Sequence, residues 1–257
     1  MLDQKILDKC LVVNFCHGER TEKLSDFCFE KLGFVNRINL SDNSGFHEKF
    51  LQFSDIAKNS DFEFFIRNDA DRLVFDGILD LLNLMLEEPD VSWSTGSYFD
   101  YLMNSYRIGT PSVHRKDCLV LLSENKNMMK DVQKPEANFA RSIQGKFKLR
   151  DVDIFTNLHE YEQYPSKICN AFLNRLARNH YPRLYDDSHL KSLPEHYRNA
   201  IHHAFETYNE QGFKNSMVHQ DFKFLDVGYP SAESLDIEKK YEEYLGLYNH
   251  LKKNKFK

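Results

Sequence analysis

The chain has 257 residues, 41% apolar and 28% charged, with a formal net charge of −5. That composition excludes a disordered or collagenous protein, and an acidic balance argues against a protein that coats nucleic acid, which needs a cationic surface. No apolar run reaches the ~18–20 residues of a membrane span, so a transmembrane segment is not expected. The opening MLDQKILDKCLVVNF places acids ahead of its apolar stretch, unlike a secretory signal. Its five cysteines (Cys10, Cys16, Cys28, Cys118 and Cys169) form no CxxC pair. They read as buried free thiols in a reducing compartment, not as a disulfide frame or zinc cage. The expected location is therefore the cytoplasm.

In chain order, Cys10–Phe15 (CLVVNF) is apolar and β-branched, the mark of a strand buried on both faces. HGERT breaks it, and a helix carries Leu24, Phe27, Cys28, Lys31 and Leu32 on one stripe, ended by Gly33 in the C′ position. Phe34–Leu40 is a second, more polar strand. Ser41–Gly45 is turn chemistry in which Asn43 or Ser44 can cap the next helix, whose apolar side is Phe46, Phe50, Phe53, Ile56 and Ala57. Phe62–Ile66 is a third strand, closed by Arg67-Asn68-Asp69-Ala70-Asp71-Arg72. A long helix follows with Ile78, Leu81, Leu82 and Met85, stopping at Glu87-Glu88-Pro89, and Val91–Ser97 is a fourth strand. Strands separated by such helices predict an α/β fold, a mostly parallel sheet with helices on both faces. Ligands in such sheets bind at the carboxyl ends of the strands, so the loops Cys16–Arg20, Ser41–Gly45 and Arg67–Arg72 are expected to face one crevice.

Beyond this point the pattern is weaker. Arg107–His114 reads as a loop, Cys118–Leu122 as a strand or helix start, and Asn125–Arg150 as a lysine-rich surface excursion. Asp151–Phe155 reads as a strand, and Pro165 opens a helix bearing Ile168, Ala171, Phe172 and Arg175. From about Pro182 the chain reads as a helical C-terminal extension, giving domains over residues 1–181 and 182–257. His202 and His203 are adjacent and so do not share a helix face, and His219 is isolated; none makes a metal pair. The stripe Tyr241, Tyr244, Tyr248 with Leu245 and Leu251, ending in lysines, is an amphipathic helix. It either packs on the domain or makes peripheral contact with an anionic membrane.

The most informative pair is Asp69 and Asp71. Residues i and i+2 of an extended tip point to the same side, so two carboxylates can converge on one hard cation, Mg²⁺ or Mn²⁺, holding a diphosphate. An Asp-rich turn that merely ends a strand has the same spacing. In order, LVVNFCHGERTEKL, INLSDNSGF and FFIRNDADRLVFDGILDLL resemble the nucleotide-sugar-binding half of GT-A fold glycosyltransferases, most closely the family 2 type. The match runs over roughly residues 10–90. The resemblance implies a nucleoside-diphosphate sugar donor and a glycan or lipid-linked acceptor, as in polysaccharide synthesis at the inner face of a membrane. It places Phe15 and His17 at the base and ribose, Asp42 at the base, and Asn68 and Asp69 at the nucleotide. Arg20 and Arg67 would face the diphosphate. Asp69 and Asp71 would hold the metal, with His159 as a late third ligand. Glu160, in LHEYEQYPSK, is the candidate base that takes the acceptor proton, and Asp100 is in reserve. Arg107, Arg115 and Lys116 are candidates for the acceptor side, and Trp93 and Tyr98 for stacking a sugar.

Two departures from the family are visible: the first strand and the D-x-D lie closer together, and the catalytic segment lacks a Glu-Asp pair. The remaining alternatives separate by residue pattern. A phosphatase of the haloacid dehalogenase type needs a nucleophilic first Asp directly after an apolar strand, where Arg67-Asn68 intervene here. A sugar-nucleotide nucleotidyltransferase needs a glycine-rich basic first loop, where only Gly18 is found. A non-catalytic nucleotide-binding module would keep the crevice without the metal.

Overall fold

The computed structural model describes residues 2–42, 44–126, 146–177, 187–212 and 220–255. Its elements in order are α1 (Gln4–Leu7), β1 (Cys10–Phe15), α2 (Glu22–Lys31), β2 (Arg37–Leu40), α3 (Phe46–Lys58), β3 (Phe64–Asp69), β4 (Arg72–Val74) and α4 (Gly77–Glu87). Then come β5 (Val91–Asp100), β6 (Ser105–Arg115), α5 (Lys116–Glu124), β7 (Lys148–His159), α6 (Pro165–Ala177), α7 (Asp187–Ser192), α8 (Glu195–Gln211) and α9 (Ile237–Lys255). The expected cap Asn43, the boundary near Pro182, His219 and most of the lysine-rich excursion lie outside the described residues.

Alternation along β1 sets the layers. Cys10 and Val12 join Phe64 and Ile66 of β3 in a core with Phe29 of α2 and Ile78, Leu81 and Met85 of α4. Leu11, Val13 and Phe15 join Phe65 on the other face with Phe50 and Phe53 of α3 and Leu119 and Leu122 of α5. Both faces of β1 are thus covered, which is why its sequence is unbroken by polar residues until Asn14. Each such side chain, fully removed from water, contributes about 1.5–3 kcal/mol before the entropy of ordering it is counted.

The seven strands lie in the order β2-β1-β3-β6-β5-β7-β4. β1 runs parallel to β2 and β3, and β5 to β7, whereas β6 is antiparallel to both β3 and β5, and β4 to β7. The α/β class with helices on both faces is as expected, but the sheet is mixed, not mostly parallel. The difference comes from β4, hidden in the polar run after Asp71, and from β6, which reads as a loop because of Gly109 and Pro111. Pro111 is tolerated in a central strand because the register with β5 shifts between Thr95 and Gly96, leaving Thr110 and Pro111 without partners in the ladder. The pairings nevertheless place the carboxyl ends of β1, β2, β3, β5 and β7 on one edge.

α6 and α8 form a separate hydrophobic cluster through Ile168, Phe172, Leu173, Tyr197, Ile201 and Ala204. α9 returns to the sheet, where its tyrosine stripe packs on α2, β4 and β7. Tyr248 is fully buried, stacks on Phe155 and Phe75, and puts its hydroxyl 2.7 Å from the Phe155 carbonyl and 2.8 Å from Asp76. The apolar stripe that a membrane would otherwise meet is therefore occupied by the domain itself. Among the described residues no helix is long and apolar enough to cross a membrane.

The close approach of α4 to β7 requires a glycine. A Cβ on Gly77 would sit 1.9 Å from the Phe155 carbonyl oxygen and 3.0 Å from the Tyr248 hydroxyl. Gly77→Ala is expected to destabilise the fold by about 3 kcal/mol, because backbone and not a mobile side chain must yield. Urea unfolding checks this, and a variant within 1 kcal/mol of the parent, on the order of experimental scatter for surface changes, contradicts the packing described.

Candidate active site

Four acids gather where β3, β5 and β7 end. Asp100 is the last residue of β5 and pairs in register with His159, the last of β7. β3 ends at Asp69, and the turn through Ala70 and Asp71 carries the chain into β4, whose Arg72 pairs with His159. The Ala70 amide donates to the Phe15 carbonyl, and the Glu160 amide to the Asp71 carbonyl, so this turn is held from both sides. Glu160 and Glu162 adopt left-handed backbone conformations, φ +67° and +55°, uncommon for residues with side chains. The kink directs Glu160 toward the acids and Tyr161 away from them.

The turn breaks the expected convergence of the D-x-D pair. Asp69 accepts from Arg67 Nη2 at 2.8 and 3.0 Å on its two oxygens, and Arg72 Nε lies 3.5 Å from Asp69 and 4.0 Å from Asp71. An arginine, not an open cation position, thus separates the two carboxylates, because strand alternation ends at Asp69 and does not run through the turn. Asp71 instead faces His159, with Oδ2 3.2 Å from Nε2, and that nitrogen is 3.6 Å from Glu160 Oε1. One ligand atom each from Asp71, His159 and Glu160 lies within 4.8 Å of the others.

Three arginines and the histidine hold the charges together. Arg175, reaching in from α6, donates at 3.0 Å to both Asp100 and Glu160. His159 Nδ1 is 3.5 Å from Asp100, and Arg107 is 3.7 Å from it. Arg72 lies over the Tyr98 ring at 4.3 Å, and that ring meets His159 edge-on at 5.3 Å. The environment splits the carboxyls. Burial alone would raise Asp71 and Asp100, but His159 beside Asp71 and Arg175 beside Asp100 hold both well below the usual carboxylate range. Glu160 goes the other way: burial raises it despite His159 and Arg175, so it is the cluster acid best placed to take up and give back a proton. Burial and Arg72 oppose the charge on His159, yet Asp71, Glu160 and Asp100 raise it to about 10.

These residues fit a hard divalent cation. Asp71 Oδ1 is buried without a hydrogen-bond partner, and Asp71 and His159 supply the oxygen and nitrogen donors that Mn²⁺ or Mg²⁺ accepts, with the Glu160 carboxylate beside them.

Other sequence-derived candidates are placed differently. Phe15 is fully buried among Phe46, Phe50 and Phe53, beneath the guanidinium of Arg67, so no face of it is open to a base. Arg67 shares that aromatic pocket, which orients its pair with Asp69. Asn68, one residue on, points through the other face of the sheet and bonds Asn14 and Ser25 at 3.1 and 3.0 Å. Asp42 is half exposed, accepts from Ser44 and Gln52, and lies 3.8 Å from the buried Lys49. Arg20 does not face the acids: it pairs with Glu162 at 2.6 Å and donates to the Pro230 carbonyl at 3.0 Å. His17 is exposed; its amide donates to Glu19 and its carbonyl accepts from Lys167. Trp93 is a core residue packed on the buried His114, and Arg115 and Lys116 bond backbone carbonyls on other elements.

The sequence did not single out Arg72, Arg175 or Glu19 as site residues. Arg175 carried a signal: a permanent charge on the same apolar stripe as Ile168 and Phe172 needs a buried acid opposite it. Glu19, on the first loop, is raised to about 7 by burial, with Asp71 adding to the rise and Lys167 opposing it.

No protein-family profile matches the chain, and no curated protein matches it significantly. Among solved structures it is similar to A197 from STIV, at 12% identity and TM-score 0.43, over 56% of this chain and 81% of that one. A glycosyltransferase involved in glycosylation of the major capsid of PBCV-1 gives 12% identity and TM-score 0.41, over 60% and 94%. A cytidylyltransferase from Leptospira borgpetersenii gives 12% and 0.41, over 82% and 99%.

Proposed function

We propose that the chain is a metal-dependent glycosyltransferase that moves a sugar from a nucleoside-diphosphate donor to an acceptor hydroxyl of a glycan or glycolipid. The observation that carries this reading is the Asp71–His159–Glu160 set at the carboxyl ends of the strands, flanked by Arg72 and Arg175. The order of the three motifs in the first ninety residues supports it. Asp71 and His159 would hold Mn²⁺ or Mg²⁺, which when bound stabilises the departing diphosphate. Glu160 takes the acceptor proton as the hydroxyl attacks the anomeric carbon. Arg175 orients Glu160 against Asp100, and Asp69 acts through Arg67 and Arg72, fixing the turn that presents Asp71. A nucleotidyltransferase would use a basic first loop to cradle a triphosphate. Here that loop carries Glu19, and Arg20 is tied to Glu162.

A thermal-shift panel of nucleoside diphosphates with and without Mn²⁺ tests the reading. At a hundredfold excess over Kd the true nucleotide adds about 2.7 kcal/mol of stability, which for a chain of this size is a rise of roughly 5–10 °C. His159 must shed its proton to ligate, so Mn²⁺ affinity is expected to rise about tenfold per pH unit near neutrality. No Mn²⁺-dependent shift with any diphosphate, or a shift only with a triphosphate together with a sugar phosphate, contradicts the assignment.

A further inference from the structure

A cavity opens beside the residues that follow the acid cluster, built from the same strand ends. It has a volume of about 490 Å³, inside the range of about 300–1,000 Å³ usual for small-molecule sites. The residues after Asp100 and Glu160, Tyr101 and Tyr161, form one wall, stacked with ring centroids 4.3 Å apart and 20° between planes. Tyr229 and Tyr244 face the same cavity. Tyr197 joins the two sites: its ring lines the cavity, while its hydroxyl donates to the Glu160 carbonyl at 2.9 Å and accepts from the Gln163 amide at 3.1 Å.

The charge of the cavity is the informative feature. Among the described residues no lysine or arginine lines it, and its two acids, Glu162 and Glu243, are already paired. Its two histidines are engaged as well: His189 Nε2 donates to the Tyr101 carbonyl at 2.7 Å, and His196 Nε2 lies 3.1 Å from the Tyr229 hydroxyl and is held below the usual imidazole range by burial. Glu162 accepts from Arg20 at 2.6 Å, Lys240 at 2.6 Å and Tyr244 at 2.8 Å, and Glu243 pairs with Lys240 at 3.0 Å. Those same cations lie over the outer rings, Arg20 over Tyr229 at 5.2 Å and Lys240 over Tyr244 at 5.6 Å. A phosphate would find the nearby cations, Arg20 and Lys240, already paired with Glu162, and an organic cation would compete with them for the same rings. Flat aromatic faces edged by hydroxyls suit a ring with an apolar face and polar rim.

We infer that this cavity binds an uncharged saccharide, a sugar of the acceptor glycan other than the one whose hydroxyl reacts at the acid cluster, and so selects a neutral glycan over an acidic or phosphate-bearing one. The inference rests on the glycosyltransferase reading and adds the chemical class of the acceptor. It also gives Tyr197 a positioning role, since the residue that walls the cavity fixes the backbone of the base.

Saturation-transfer NMR on the full chain, with Mn²⁺ and the diphosphate it binds, tests this using methyl glycosides of neutral hexoses, the matching hexuronic acids and hexose phosphates. Neutral glycosides are expected to bind. Tyr229→Ala and Leu247→Arg, at half-exposed positions of the rim, are each expected to weaken them about tenfold with Mn²⁺ and nucleotide binding unchanged. Equal or tighter binding of the acidic or phosphorylated sugars, or neutral binding untouched by both substitutions, overturns the inference. So does nucleotide binding without any saccharide binding, a result that leaves the donor site standing. Loss of the donor reading would show instead as no Mn²⁺-dependent nucleotide binding at all.

Discussion

Asp71→Asn is expected to lower Mn²⁺ affinity and sugar transfer at least about 100-fold while the chain stays folded. Asp71 combines a hydrogen bond to His159 at 3.2 Å with a buried oxygen that has no hydrogen-bond partner, so an amide there keeps the shape but removes the charge and one metal-ligating oxygen. The loss should be visible in the protein without metal. His159 titrates at about 10 because Asp71, Glu160 and Asp100 surround it. Its contribution to stability is therefore complete below the unfolded value of about 6.5 and disappears as pH rises through 10. Asp71→Asn should lower that midpoint and flatten stability against pH above neutrality, as NMR of the imidazole and urea unfolding would show. Asp69→Asn should cost less than about tenfold in metal affinity, since Asp69 is paired with Arg67 and Arg72. Equal losses for the two substitutions would restore the simple D-x-D site and contradict the arrangement described.

Arg175→Met is the second large effect. Arg175 is buried between Asp100 and Glu160 at 3.0 Å from each, and removing it strands two carboxylates out of water. Breaking such a pair costs about 3–5 kcal/mol, because the charges left behind stay buried. The pH dependence follows from Asp100, which lies well below its ordinary range in the folded chain. In the parent its contribution is present above pH of about 4 and lost on acidification. In the variant both carboxyls rise and protonate more easily, so the penalty should be larger at pH 8 than at pH 5. Urea unfolding at the two pH values measures it. Arg175→Lys keeps the charge but not the two-armed donation, and should recover only part of the loss. A penalty independent of pH would mean that packing, not charge, holds α6 against the site.

The legible parts of the fold are those in which one periodicity dominates. Cys10–Phe15 and the helix through Ile78, Leu81 and Met85 are buried on the faces their patterns indicate, and Gly33 ends its helix with φ +88°. β6 was hidden because Pro111 sits opposite a register shift, a feature of the partner strand that a single sequence window does not contain. β4 was hidden for a different reason. Three residues, Arg72–Val74, are strand only because β7 arrives to pair with them from more than eighty residues away.

The site was partly legible. Asp71, His159, Glu160 and Asp100 do lie together, since the topology brings the ends of β5 and β7 beside the turn after β3. Local spacing groups Asp69 with Asp71, and spacing does not reveal that the chain turns between the two acids. Arg20 and Arg67 illustrate the same limit. Basic residues in loops suggest phosphate contacts, but Glu162 and Asp69 claim them first. Nothing local distinguishes a guanidinium open to ligand from one that closes a loop.

Anomalous diffraction at the manganese edge, from crystals grown with Mn²⁺ and a nucleoside diphosphate, bears most directly on the proposed chemistry. The expected result is a single strong peak bonded to Asp71 and His159, with the diphosphate on its open side and Arg72 still between Asp71 and Asp69. A map with no peak there, and with His159 Nε2 still at hydrogen-bond distance from Asp71, would show that the cluster is an ion-pair network and not a metal centre.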